Sequence, residues 1–120
     1  MVIIQPIGGL CNRIRAINSA YLLARERRDK LTVLWLVNKD LGCPCEELFL
    51  ENRELRVINI RSALDPRRIW YRTTSRFVDN GTIHAHRGDG LLDEEFRHAL
   101  PSRIYIATEE HFYPSHDYHL

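Results

Sequence analysis

The segment Val2-Ile3-Ile4-Gln5-Pro6-Ile7-Gly8-Gly9-Leu10-Cys11-Asn12-Arg13-Ile14 restricts the folds open to this chain. A short apolar run, rich in β-branched residues, ends at a glycine pair, and an amphipathic pattern starts directly after it. That order predicts a strand, a tight loop and a helix at the start of an α/β domain. The glycines let the backbone turn where a side chain would clash. They also leave the amides at the helix start uncovered, where the helix dipole favours an anion such as a phosphate. Asn12 and Arg13 fall in the first helical turn, within reach of the loop. The same residues have a plainer reading, two glycines closing a βα turn with Asn12 as the helix cap. Neither a GxGxxG nor a GxxxxGK[ST] pattern is present.

Further along, the pattern predicts strands and helices in alternation. The helix is expected from about Cys11 to Arg28, burying Leu10, Ile14, Ile17, Tyr21 and Ala24, with Arg13 and Asn18 flanking that stripe. Leu31 to Val37 is continuously apolar, as parallel strands covered on both faces tend to be. Asn38 to Pro44 is rich in turn formers, and Cys45 to Leu50 reads as a short helix. Leu55 to Ile60 alternates and predicts a third strand. Ile69 to Tyr71 fits either a short helix or an edge strand. Asp79-Asn80-Gly81 predicts a turn, Thr82 to His86 a short strand and Arg87 to Gly90 a loop. A helix is expected over Leu91 to Leu100 and a last strand over Arg103 to Ala107. The expected fold is α/β, a small three-layer domain with at least three parallel strands.

A chain of 120 residues supports one such domain with a modest core. The formal net charge of +1 gives no bulk attraction to nucleic acid or membrane, so neither is an expected partner. No apolar run approaches the ~20 residues of a membrane span. With no basic leader and an odd number of cysteines, a reducing, cytoplasmic setting is expected.

Other constellations carry less. His84 and His86 would share one face of a strand and, with His111 and His116, could hold a metal, but no HExxH is present and no metal is expected. Cys43-Pro44-Cys45 has one residue between its thiols, where zinc and redox pairs have two. Arg67, Arg68, Arg72 and Arg76 around Trp70 and Tyr71 could stack and pair with RNA. With the overall charge near neutral, a solvated face or a surface meeting another domain is the expected reading. Arg87-Gly88-Asp89 is treated as chance.

Gly8-Gly9-Leu10-Cys11-Asn12-Arg13-Ile14-Arg15 after an apolar strand resembles the opening of the fucosyltransferase-like glycosyltransferases. That superfamily includes nodulation-factor and protein O-fucosyltransferases. Trp35, Asn38, Asp40-Leu41-Gly42-Cys43 and Glu47-Leu48-Phe49 resemble the same region of small bacterial members. The resemblance implies a Rossmann-like domain forming half of a two-domain GT-B architecture. It implies that Gly8, Gly9, Asn12 and Arg13 line the donor cleft near the diphosphate. It further implies inverting transfer of a sugar, with GDP-fucose as donor, to a glycan or protein hydroxyl, without dinucleotide or metal cofactor.

The chain departs from the family in two ways. Cys11 stands where relatives often have Gly. The His-x-Arg-Arg motif of the second domain has only His84-Ala85-His86-Arg87 as a distant counterpart. Residues 1–120 are therefore expected to be the N-terminal half of a longer protein, inactive alone. No general base is identified; Asp40 and Asp89 read as loop residues. The competing reading is a non-catalytic α/β module for nucleotide binding or assembly.

Overall fold

A computed structural model describes residues 1–37, 55–88, 91–109 and 112. In chain order the elements are β1 (Val2–Pro6), α1 (Leu10–Glu26), β2 (Leu31–Leu36), β3 (Leu55–Ile60), α2 (Pro66–Thr73), β4 (Arg76–Val78), α3 (Asn80–Ala85), β5 (Arg87–Gly88), β6 (Leu91–Leu92), α4 (Glu94–Ala99) and β7 (Ile104–Thr108). Five strands form one sheet in the order β3-β2-β1-β7-β4, and every pairing in it is parallel. The fold is α/β and Rossmann-like, as expected. β5 and β6 form a separate antiparallel pair.

β1 lies at the centre and is buried at every residue. Its alternation divides the core in two. Val2 and Ile4 join Val33, Trp35, Ile104 and Ile106 on the α1 side. Ile3 joins Leu34, Ile58, Ile60 and Tyr105 on the other, where Tyr71 of α2 packs. With both faces covered, the strands need apolar residues at nearly every position, hence the continuous runs in β1 and β2.

α1 is buried more widely than its stripe predicts. Arg13, Asn18 and Ser19 are buried with Ala16, Ile17, Ala20 and Leu23, while Leu10 is 38% exposed. A second layer covers Ser19: Leu92 and Phe112 belong to the same cluster, and the Phe112 amide donates to Ser19 Oγ at 3.1 Å. α4 latches to α1 through Arg97 Nε and Glu26 Oε2, 3.3 Å apart.

The expected strand at Thr82 to His86 is instead helix α3, with Asp79 as its cap. The Asp79 carboxylate accepts from the Thr82 amide at 2.9 Å, so the Asp-Asn-Gly signal starts a helix and not a hairpin. His84 and His86 therefore do not share a strand face. His86 stacks on Phe96 with ring centroids 3.9 Å apart. The segment around Trp70 is helical, opened by Asp65 and Pro66. Phe77 and Val78 belong to β4, a three-residue strand too short to give a periodic signal in the sequence. The helix expected from Leu91 begins at Glu94, since Leu91 and Leu92 pair with β5. The expected loop Asn38–Pro44, the helix Cys45–Leu50, Asp89, His111 and His116 lie outside the described residues.

Trp35 is fully buried in an interior strand. Trp35→Ala should cost about 3–5 kcal/mol, a large part of the stability of a domain this size. Urea unfolding checks this; a nearly unchanged midpoint would place β2 outside the core.

The helix caps predict acid sensitivity. The Arg67 side chain holds the Asp65 carboxyl below its ordinary 3.8, and the Thr82 amide does the same for Asp79. A carboxylate with a lowered pKa stabilises the fold above its unfolded pKa, and that contribution disappears as pH falls through the folded value. Melting temperature should therefore fall below about pH 4. Asp79→Asn keeps an acceptor but not the charge, so its deficit relative to the wild type should shrink on acidification.

Candidate functional site

All five parallel strands end on one edge, the usual ligand edge of open α/β sheets. The β1–α1 loop stands at the middle of that edge. The Ile7 amide donates to the Thr108 carbonyl at 3.0 Å, tying the loop to the end of β7. Beside it Thr108 Oγ1 hydrogen-bonds Asn80 Oδ1 after β4. β2 delivers Val37 to the same edge.

Gly8 is needed for its backbone. Its φ is +86°, a left-handed conformation that side chains rarely adopt. A Cβ there would stand 3.2 Å from both Asn12 Nδ2 and Glu109 Oε2. Gly9 differs: its φ is −77°, and a Cβ would meet nothing within 4 Å. Neither its backbone nor its neighbours demand glycine, and the space beside it is open.

Gly9 is also the N-cap of α1, and no side chain caps that helix. The first intrahelical bond runs from the Arg13 amide to the Gly9 carbonyl at 3.0 Å. The amides of Leu10, Cys11 and Asn12 precede it, at the positive end of a 17-residue helix with no acid in its first turn. Leu10 and Cys11 are exposed and Asn12 is half-exposed. Asn12 sits three residues inside the helix and does not cap it, so the plainer reading of this side chain fails.

Arg13 does not reach over the loop. It is 1% exposed, with Nε donating to the Gly8 carbonyl at 2.8 Å and Nη1 to the Leu36 carbonyl at 2.7 Å. Its guanidinium carbon lies 4.7 Å from the Trp35 ring centre. Arg13 thus braces the loop from beneath and fixes it to the end of β2. Sequence reading placed it in the right turn but on the wrong side. The arginine two residues on, Arg15, is the exposed one of the pair.

On the opposite sheet face a polar cluster lies under the same strand end. Gln5 Oε1 accepts from the Tyr105 hydroxyl and from Arg68 Nε, the latter at 3.2 Å. Burial pushes the Tyr105 phenol up, opposed by the charges of Arg68 and Arg72. The sequence signal for this cluster was Gln5, a polar residue in an apolar strand. Glu109 is exposed and brings a carboxylate beside the glycine loop.

Among the described residues, no three His, Cys, Asp or Glu side chains gather as a metal set, and no helix is long and apolar enough to cross a membrane. No family model, curated protein or solved structure matches the chain.

The two glycines should respond differently to alanine. Gly8→Ala forces a side chain into left-handed backbone and should cost roughly 1–2 kcal/mol. Gly9→Ala should leave stability unchanged or raise it by up to about 1 kcal/mol. Chemical denaturation of both variants decides, and equal losses would refute the assignment of distinct roles.

Proposed function

We propose that the chain is the donor-cleft half of a fucosyltransferase-like glycosyltransferase, inactive alone, whose β1–α1 loop receives the diphosphate of a nucleotide sugar. The observation that carries this reading is the uncapped start of α1 behind Gly8 and Gly9, on the carboxyl edge of a parallel sheet. Uncovered amides at a helix N-terminus complement an anion. Gly9 allows close approach, and Asn12 offers a side-chain amide with no other hydrogen bond among the described residues. Arg13 serves by holding the Gly8 carbonyl turned inward, which leaves the amide side of the loop outward. The sugar, GDP-fucose as donor, and the hydroxyl acceptor follow from the resemblance of the opening residues. Chemistry at the anomeric carbon requires groups beyond this loop, which is why turnover by the chain alone is not expected.

One observation favours the non-catalytic reading. The Glu109 carboxylate stands beside Gly8, and a fixed negative charge there opposes a second anion. On that reading the loop is a structural turn in an assembly or regulatory module.

Titration of the isotopically labelled chain with GDP, followed by backbone amide resonances, separates the two. The proposed function predicts saturable shifts at Leu10, Cys11 and Asn12, abolished by phosphate-free guanosine. Asn12→Ala should weaken binding about ten- to a hundred-fold, the effect of losing a hydrogen bond to a charged group, with the melting temperature unchanged. Glu109→Gln should strengthen it. No shift at the loop in either the wild type or Glu109→Gln would leave the non-catalytic module.

A further inference from the structure

Net charge conceals a local imbalance. Between Leu55 and Val78 the chain carries Arg56, Arg61, Arg67, Arg68, Arg72 and Arg76 against one carboxylate, Asp65. That stretch is net +5 in a chain whose total is +1. Asp65 is already engaged, capping α2 through the Arg67 amide and pairing with the Arg67 side chain at 2.9 Å. It offers little neutralisation to the other five.

The same stretch holds the most exposed large apolar side chains among the described residues. Trp70 is 62% exposed, Leu64 78% and Ile69 42%, and no residue of α2 is buried. α2 crosses the sheet on the face opposite α1. Arg67 Nη2 reaches the Asn59 carbonyl near the end of β3 at 3.0 Å. Arg68 reaches Gln5 of β1, and the Arg72 guanidinium lies 3.7 Å from the Phe77 ring centre on β4. The helix is thus anchored to the sheet largely through its arginine stems and Tyr71. Trp70 is left to present its ring outward from a helix whose surroundings are basic.

We infer that this face binds single-stranded nucleic acid, with Trp70 stacking on a base and Arg61, Arg68 and Arg72 meeting phosphates. The charge pattern selects a polyanion. The exposed indole selects one with planar rings over an acidic protein surface, since base–aromatic stacking tolerates any sequence and needs an unpaired base. Arg68 and Arg72, already held by the Ala63 carbonyl and the Phe77 ring, lose little freedom on meeting a phosphate. This inference is independent of the glycine loop, which stands on the carboxyl edge and leads into α1 on the other sheet face.

Fluorescence anisotropy of a labelled 12-nucleotide oligo-dT strand, titrated with the 120-residue chain, provides the test. Binding is expected to weaken with salt at a logarithmic slope of roughly −2, about −0.7 for each of three phosphates. Trp70→Ala should weaken it on the order of ten- to a hundred-fold, and Trp70→Phe should restore much of the loss. Arg61→Gln with Arg72→Gln should flatten the salt slope without altering the Trp70 effect. Three results would overturn the inference: no binding at low salt by a folded wild type, equal affinity for a duplex of the same length, or equal competition by polyglutamate. The last would assign the face to an acidic protein partner.

Discussion

The buried guanidinium of Arg13 is the contact on which the upper edge of the sheet depends. A charge this deep is costly unless each of its donors finds an acceptor. Among the described residues its acceptors include two backbone carbonyls, Gly8 in the loop after β1 and Leu36 at the end of β2. The Trp35 ring covers one face of the guanidinium. One side chain thereby fixes the relative position of the β1 and β2 ends. It also explains why Gly8 takes a left-handed φ, since the carbonyl must turn down toward the helix. A lysine could not repeat this, because it lacks the planar fork that reaches two carbonyls at once.

The sheet faces are built by different chemistry. On one side α1 packs small and branched apolar residues against the strands, and a second layer from Leu92 and Phe112 closes over it. On the other, α2 is short, buries no residue completely, and is held by Arg68, Tyr71 and Arg72. Arginine stems can cover apolar surface while their heads stay hydrated. The second face is therefore more polar and more open without being unsatisfied.

Much of this was legible in the sequence. β1, α1, β2, β3 and β7 follow from apolar runs and helical spacing, which act over a few residues and need no tertiary information. The loop's place on the ligand edge followed from two parallel strands. What failed were signals that tertiary contacts reinterpret. Asp79-Asn80-Gly81 fits a turn and a helix cap equally, and only the sheet order shows that β4 ends there. Ser19 looks like a surface residue until Phe112 is placed over it. Arg13 and Arg15 are indistinguishable by type; their difference is which side of a helix meets Trp35. Six arginines in one stretch were visible, but net charge averaged them away, because a sum over the chain carries no information about which face holds them.

The sheet order also dictates a history. β1 neighbours β2, close behind it in sequence, but its other neighbour is β7, so that Gln5 lies opposite Ala107. β4, earlier in the chain, lies at the far edge and among the described residues pairs with β7 alone. Until the last strand arrives, the strand that is buried at every residue has one open side, and β4 lacks its sheet neighbour. The molecule closes like a bridge from two banks, with β7 as the span between them. Contacts so distant along the chain form late and slowly. A nascent or partly unfolded chain therefore exposes the edge of β1, a strand built for burial on both faces and open to pairing with a foreign one.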